Sequence, residues 1–333
     1  MSRQVSIAFQ TDKPLAAYGP LAAQTEAHGF HGVTVYNDLL YQPAWLPLLE
    51  IARATQRVRI GPAAVNPFTC HPVNMAGQIA LIDEASQGRA YLGVARGSWL
   101  DFVGVEPVRP ITALAESLAA VRHLLRQDPA PLPGDIFPVR GGDSLRWPIL
   151  RAEVPFLLGT WGPKTIAACI SEIDEIKIGG SANPDVIPHF RRYVDKSTAD
   201  SARRSQEIGL VIGAVTVVDA DGGAARSLAR REVALYLPVI ANLDPSLDLD
   251  PDLLARIKAA ADAFDFAAAG ALISDDLLAR FAFAGTPDEV AAQANACFAA
   301  GARRVEFGTP HGLTAQSGLR LLGERVLPGI SIG

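Results

Sequence analysis

Residues 60–104 constrain the fold more than any other part of the chain. They start within a β-rich segment, residues 59–65, that stops at the turn pair Asn66-Pro67. Pro72–Ala85 has the apolar spacing of an amphipathic helix, and residues 90–94 form a second strand that is too apolar to alternate. Two strands joined by one short helix lie parallel, with a right-handed crossover. These residues therefore predict a parallel α/β fold.

The same alternation of strand and helix recurs along the chain. Eight strands are predicted, at residues 5–9, 32–36, 59–65, 90–94, 155–158, 175–178, 207–218 and 304–308. A loop rich in proline and glycine interrupts the alternation at about 127–148, and a helical insertion interrupts it at about 222–284. This pattern predicts a single domain over residues 1–333, a (β/α)8 TIM barrel with two insertions. A doubly wound open sheet is the alternative, and the missing G-x-G-x-x-G after the first strand counts against it.

The composition is that of a protein with a large core, since 49% of the residues are hydrophobic and 20% are charged. A net charge of −5 without any basic run argues against binding to nucleic acid. Three widely separated cysteines predict no disulfide framework and no metal site. Because no signal peptide or membrane-spanning stretch is evident, we expect a cytoplasmic protein.

Functional groups of a barrel gather where its strands end at the C-terminal side. One candidate is the run Gly159, Thr160, Trp161, Gly162, Pro163 and Lys164. It follows a predicted strand and opens a helix, so that free backbone N–H groups, a hydroxyl and a lysine suit a phosphate. A glycine turn with a capping threonine is the alternative. Gly179 and Gly180 after the next strand favour a shared phosphate site.

Candidates for proton transfer stand at two other strand ends. Asp38 could contact a ligand or donate a proton, or Asn37-Asp38 could form an Asx turn into the next helix. Tyr41 and Trp45 could form an aromatic wall, although core packing is the usual role of such residues. His71 precedes a proline at a helix start, which suits a helix cap better than proton transfer.

Two further features have structural or weaker functional interpretations. Asp83 and Arg89 flank the turn before the fourth strand, at its N-terminal side, so they are interpreted as a structural ion pair. His311 lies on a strand-end loop and is a minor candidate for the site. No Ser/His/Asp order and no H-E-x-x-H motif indicates a hydrolase or a metal enzyme.

With these segments in view, the chain resembles the luciferase-like monooxygenase superfamily, and most of all its branch that uses the deazaflavin coenzyme F420. The matching segments run through nearly the whole chain in order: residues 65–69 with His71-Pro72, 82–86 with Gly88-Arg89, Leu92-Gly93, 101–105, 162–164, and 285–290 followed by Ala300-Gly301. The resemblance implies a TIM barrel of the bacterial luciferase type with an insertion after a middle strand, commonly a homodimer.

The resemblance also implies where a coenzyme binds. A bulge with a non-proline cis peptide bond, expected around residues 63–65, would back the flavin ring. The residues placed at the ring are Asp38, Ala64, Val65 and Asn66, with Arg96, Gly97 and Ser98 at its edge. Residues 160–164 and Gly179-Gly180 would hold the coenzyme phosphate, in agreement with the argument from the helix start.

One departure from the family pattern concerns the proton donor. Many deazaflavin-using relatives carry an acid directly after the glycine that follows strand four, where this chain has Gly97-Ser98. Arg96 is nearby and could bind a carboxylate or the coenzyme tail. Asp38 is therefore the first candidate for the acid, followed by Tyr41 and His71.

The leading hypothesis is an F420-dependent oxidoreductase that transfers a hydride between C5 of the deazaflavin and a C=C or C=N bond of a small substrate. The first alternative is an FMN-dependent monooxygenase with a partner flavin reductase, because the phosphate site serves either coenzyme. The second alternative is a flavin-binding barrel without catalysis. The two insertions are expected to form the substrate pocket.

Overall fold

Nine strands alternate with helices in the computed structural model, which describes residues 3–199, 201 and 203–331. The strands are β1 (Gln4–Phe9), β2 (Gly32–Val35), β3 (Arg59–Pro62), β4 (Leu92–Ala95), β5 (Phe156–Gly159), β6 (Glu175–Gly179), β7 (Gly209–Val218), β8 (Ala282–Gly285) and β9 (Arg304–Gly312). The helices are α1 (Tyr18–Ala27), α2 (Trp45–Ala54), α3 (Pro72–Ala85), α4 (Pro110–Leu125), α5 (Pro163–Cys169), α6 (Ile187–Thr198), α7 (Gly222–Val233), α8 (Leu237–Ala241), α9 (Pro251–Asp262), α10 (Phe266–Ala271), α11 (Asp275–Phe281), α12 (Pro287–Ala299) and α13 (Ala315–Leu321).

Eight of these strands form a nearly closed barrel. Their hydrogen-bonded order is β3-β2-β1-β9-β7-β6-β5-β4, and every neighbouring pair is parallel. The two strands at the ends of this order, β3 and β4, meet at bridges that join Ile60 to Ala90 and Val65 to Val94. The predicted (β/α)8 TIM barrel is therefore confirmed, and the doubly wound open sheet is excluded.

β8 corrects the predicted helical insertion. Residues 222–281 hold helices α7 to α11, but the last residues of the predicted insertion belong to a strand. β8 pairs with the second half of β7, because β7 is ten residues long and extends beyond its pairing with β6. β8 has the sequence Ala-Phe-Ala-Gly and continues the alanine-rich composition of the helices before it, so its sequence pattern did not reveal it.

The seam between β3 and β4 depends on two glycines. A Cβ atom on Gly61 would lie 2.3 Å from the carbonyl oxygen of Tyr91, and one on Gly93 would lie 2.2 Å from that of Pro62. Both distances are well inside van der Waals contact, so the two strands can approach only where no side chain intervenes. The peptide bond between Ala63 and Ala64, directly after β3, is cis, as the family resemblance implies.

A buried carboxylate joins four strands inside the barrel. Glu306 on β9 is 1% exposed, accepts hydrogen bonds from Ser6 Oγ (3.2 Å) and Thr34 Oγ1, and forms an ion pair with Lys177 on β6. Burial alone would raise the pKa of Glu306, but the positive charges of Lys177 and Arg304 lower it below its ordinary value. The carboxylate is therefore ionised, and its lone pairs are satisfied across the barrel axis.

The predicted ion pair between Asp83 and Arg89 is wrong, although both residues are structural. Asp83 pairs with Arg151, whose Nε and Nη2 atoms lie 2.8 and 2.7 Å from its two carboxylate oxygens. Arg89 donates instead to the carbonyl oxygens of Ala52 (3.0 Å) and Thr55 (2.8 Å). Carbonyls at the C-terminal end of α2 lack helical partners, which makes them good acceptors for a guanidinium group.

We predict that Gly93→Ala destabilises the barrel, whereas Gly77→Ala on α3 does not. The new methyl group at position 93 would strike the backbone of Pro62, and overpacking of this kind costs about 1–3 kcal/mol. A methyl group at position 77 meets only the Trp147 ring at 3.5 Å and improves helix propensity. Urea denaturation of both variants measures the difference, and equal midpoints would contradict the description of the seam.

Candidate functional site

The predicted site residues follow five strands that are neighbours in the barrel wall, β2 to β6. The loops after β2 and β3 start side by side, because Ala63 N donates to the carbonyl oxygen of Val35 (2.9 Å). Across the seam, Ala95 N donates to the carbonyl oxygen of Val65 (2.9 Å). Ala95 in turn lies opposite Gly159 on β5. The residues from Asp38 to Gly180 thus form one continuous arc at the C-terminal rim.

A cavity of about 500 Å³ opens at one end of this arc. Its lining comes from the loops after β2, β3 and β4 and from the starts of α2 and α3: Asn37, Asp38, Leu39, Leu40, Tyr41, Pro43, Trp45, Ala64, Val65, Asn66, Thr69, Cys70, Asn74, Gln78, Ala95, Gly97, Ser98, Trp99 and Leu100. Seven predicted site residues are among them, namely Asp38, Tyr41, Ala64, Val65, Asn66, Gly97 and Ser98. In the described part of the chain, neither insertion contributes to this lining, so the expectation that the insertions form the pocket is not met there.

The end of β2 separates the roles of Asn37 and Asp38. Asn37 Oδ1 accepts a hydrogen bond from the backbone N–H of Ala44 (3.0 Å), so the turn before α2 is held by Asn37. The carboxylate of Asp38 is exposed and accepts one hydrogen bond from Gln10 Nε2 (2.8 Å). Asp38 is therefore free to meet a ligand in the cavity, next to Tyr41.

The wall after β3 and β4 is rigid because one amide side chain holds it. Asn66 Oδ1 accepts from the backbone N–H groups of Phe68 (3.0 Å) and Thr69 (2.9 Å). A Cβ atom on Gly97 would lie 3.1 Å from this amide, and Gly97 has a positive φ of 85°. Glycine is thus required at position 97 for the two loops to meet, and Ser98 is left exposed at the rim.

The predicted phosphate segments lie together at the ends of β5 and β6. Trp161 Nε1 donates to the carbonyl oxygen of Gly179 (3.1 Å), and Gly162 N donates to Thr160 Oγ1 (3.1 Å). The second bond supports the glycine-turn alternative, since it uses one of the N–H groups at the start of α5. A Cβ atom on Gly179 would meet nothing within 4 Å, so open space adjoins both segments.

Two cations stand at this rim without a partner. Arg96 after β4 and Lys164 at the start of α5 are exposed, and neither forms an ion pair with any described residue. Their strands are direct neighbours in the barrel. The rim therefore offers two positive charges to an anionic ligand, and Pro163 leaves the first turn of α5 without one N–H group.

The two candidate histidines lie away from the cavity lining. His71 Nδ1 accepts from the backbone N–H of Val73 (3.2 Å) and caps α3, while its ring meets the edge of Phe137 from the 127–148 loop. His311 is buried, and its Nε2 atom bonds the carbonyl oxygen of Ala8 (3.0 Å). Burial lowers the pKa of His311 to about 4, so its ring is neutral. The geometry supports structural roles for both.

Several residues of the site escaped the sequence prediction. Gln10 directly follows β1, and the rule that strand ends carry function could have identified it as the partner of Asp38. Asn74 and Gln78 are four positions apart on α3 and both line the cavity. Polar residues at this spacing on a largely apolar helix are a usable signal for a polar ligand face.

Two kinds of feature are absent from the described residues. No helix in this part of the chain is both long enough and apolar enough to cross a membrane. Within the same residues, no group of three or more His, Cys, Asp or Glu side chains is arranged to hold a metal ion.

Known proteins with a similar sequence or structure agree with the geometry of the barrel. A 5,10-methylenetetrahydromethanopterin reductase from Methanolobus tindarius is 26% identical over 327 residues, which cover 96% of this chain and 98% of that protein. The coenzyme F420-dependent tetrahydromethanopterin reductase from Methanopyrus kandleri superposes with a TM-score of 0.88 at 21% identity, over 99% of this chain and 100% of that one. An F420-dependent secondary alcohol dehydrogenase, in complex with an F420-acetone adduct, superposes with a TM-score of 0.80 at 17% identity, with the same coverage.

The family assignment rests on nearly the full length of the chain. Residues 3–304 match the family described as luciferase-like monooxygenase. The segments that carry the resemblance in the sequence lie almost entirely within this range, and two of them, residues 65–69 and 162–164, belong to the cavity and the rim described above. The chain belongs to the luciferase-like monooxygenase family.

Proposed function

We propose that this protein is an F420-dependent oxidoreductase that transfers a hydride between C5 of the deazaflavin and a C=C or C=N bond of a small substrate. The observation that carries the proposal is a cavity at the strand ends with two cations beside it that form no ion pair with any described residue. The cavity lined by Ala64, Val65 and Ala95 would take the flat ring. Arg96 and Lys164 offer charges for an anionic tail, beside the open space at Gly179. The relatives named as reductases and the F420-dependent structures support the choice of coenzyme.

A deazaflavin bound here would supply the hydride donor or acceptor at C5. The residues of this chain would do the rest. Ala64 and Val65 would form the wall behind the ring, and residues 160–164 with Gly179 and Gly180 would hold the phosphate. Asp38 would be the source of the proton that completes the reduction, because its carboxylate lines the cavity and is exposed to solvent. Tyr41 and His71 rank behind it, and His71 ranks last because it already caps α3.

Two other functions use the same residues. An FMN-dependent monooxygenase would place its phosphate in the same segments, and oxygen consumption with a partner flavin reductase would identify it. A barrel that binds a flavin without catalysis would bind coenzyme but reduce no acceptor. The two F420-dependent structures superpose with TM-scores of 0.88 and 0.80, against 0.70 for a Baeyer-Villiger monooxygenase in complex with FMN, which favours the deazaflavin over FMN.

We also propose a cytoplasmic homodimer. The three cysteines are free thiols, which suits a reducing compartment. The neighbouring helices α2 and α3 expose the apolar side chains of Leu46, Val73 and Leu81. Exposed apolar side chains on neighbouring elements are typical of a protein–protein contact. A second copy of the chain covering this face would bury them.

Light scattering should therefore give about twice the chain mass of 35.3 kDa. Leu81→Asp should shift the protein towards the monomer, because it buries a charge in the proposed contact. Val239→Asp, an equally exposed position on the helical insertion, is the matched control and should leave the mass unchanged. A monomeric wild-type protein would rule out the dimer.

Titration of the purified protein with each coenzyme tests the proposed cofactor. Trp45 and Trp99 line the cavity, so a bound coenzyme should quench tryptophan fluorescence. We expect F420 to do so at a lower concentration than FMN. Lys164→Met should weaken F420 binding about tenfold, the usual effect of losing one charge-assisted hydrogen bond. Lys196→Met on the exposed surface of α6 should bind like the wild type. Tight binding of FMN without binding of F420 would reject the proposal.

Asp38→Asn should lower turnover by about 100-fold or more while coenzyme affinity changes little, because the amide keeps the hydrogen bond to Gln10 but cannot give up a proton in the same way. The measurement uses the best acceptor from a panel of activated alkenes and imines. Asp262→Asn on the surface of α9 is the control for a change of charge. Unchanged turnover would remove Asp38 from the role of acid.

A further inference from the structure

Tyr36 directly follows β2, at the C-terminal end of the barrel. Thr34 points into the barrel, since its hydroxyl bonds Glu306, and residues two positions apart on a strand share a face. Tyr36 therefore points inward, one layer above Thr34. Its contacts agree, because the Nζ atom of Lys177 lies 5.2 Å from the centre of its ring and a Cβ atom on Gly308 would lie 2.6 Å from its hydroxyl.

The hydroxyl of Tyr36 has no hydrogen-bond partner among the described residues. The hydroxyl oxygen remains accessible to solvent, and the side chain is only partly buried. Gly308, where a Cβ atom would lie against this hydroxyl, has no side chain to cover it. Its free side therefore opens towards the barrel mouth, where a ligand can reach it.

The charges around Tyr36 keep its phenol protonated. Burial raises the pKa of Tyr36 well above its ordinary value, and the carboxylates of Glu306 on β9 and Asp38 after β2 add to this effect. Tyr91 on β4 and Tyr236 between α7 and α8 are the other titratable neighbours that raise it. The ammonium group of Lys177 on β6 lies against the ring and would stabilise the phenolate if the proton left.

We propose that the hydroxyl of Tyr36 is the hydrogen-bond and proton donor to the substrate atom that gains negative charge during reduction. The inference rests on the proposed function. A hydride, with two electrons, passes from the reduced deazaflavin to one atom of the C=C or C=N bond, and the π pair moves to the other atom or to a conjugated oxygen. That atom takes the proton of Tyr36 Oη, and the tyrosinate then regains a proton from solvent.

This assignment supplies the donor that the loop after β4 lacks. Gly97-Ser98 offers no acid, and the exposed Asp38 is an acceptor for Gln10. Asp38 stands near Tyr36 with access to water, so it would return the proton to Tyr36 after each turnover. Loss of Asp38 would then slow turnover without removing the group that contacts the substrate.

Binding of 4-nitrophenolate, measured without any coenzyme, tests the donor. An aromatic oxyanion mimics the charge that develops on the substrate, and its visible absorbance shifts when its oxygen accepts a hydrogen bond. We expect the wild type to bind it with such a shift. Tyr36→Phe should bind about 10- to 100-fold more weakly, the effect of losing a hydrogen bond to a charged group. Tyr193→Phe, on α6 outside the barrel, is the matched control and should bind like the wild type.

Three outcomes would overturn the proposal: no binding to the wild type, equal binding to Tyr36→Phe, or loss of the shift in Tyr41→Phe with Tyr36→Phe unaffected. Thermal denaturation of Tyr36→Phe is a second check, because removal of an unpartnered hydroxyl should leave the midpoint unchanged. A lowered midpoint would show a structural partner and count against the proposal. If Tyr36→Phe weakens 4-nitrophenolate binding but F420 does not bind, the proposed function fails while Tyr36 remains a hydrogen-bond donor. If F420 binds but Tyr36→Phe leaves 4-nitrophenolate binding unchanged, the proposed function stands and Tyr36 is not the donor.

Discussion

The ionised carboxylate of Glu306 at the centre of the barrel is the interaction on which the rest of the structure depends. Its hydrogen bonds and ion pair join β1, β2, β6 and β9, which are not all neighbours in the wall. A buried charge is tolerated only while its partners are in place, and loss of one partner costs several kcal/mol. Thr34 and Lys177, which contact Glu306, lie two residues before Tyr36 and Gly179. The same contacts therefore help to position Tyr36 and Gly179 where the strands end.

The arc at the C-terminal rim divides into two functional parts. At one end, the loops after β2, β3 and β4 enclose a cavity with amide, hydroxyl and aromatic groups. At the other end, the small residues of β5 and β6 leave open space beside Lys164. Such a division suits a ligand with a flat, reactive head and a charged tail, because the head needs a shaped wall and the tail needs only positive charge.

Sequence patterns located most of this arc, since the rule that strand ends carry function depends only on the order of the elements. Asp38, Val65 and Gly97, all predicted site residues, line one cavity in the structure. Sequence patterns could not tell that Asn37, rather than Asp38, holds the turn, because the two side chains differ only in their partners. For His71 they favoured a helix cap over proton transfer, and its ring nitrogen does cap α3.

The alternation of strands and helices in the sequence by itself determined a parallel barrel, because parallel strands require crossovers and eight such units close. It did not determine which face of each strand meets the helices. Glu175 and Lys177 alternate with isoleucines, a pattern that usually places charge towards solvent. In the closed barrel the helices cover the outer face, so the isoleucines pack against them and the charged residues turn inward to pair across the axis. Only closure of the barrel, which brings distant strands together, could decide the partners of those charges and the free hydroxyl above them.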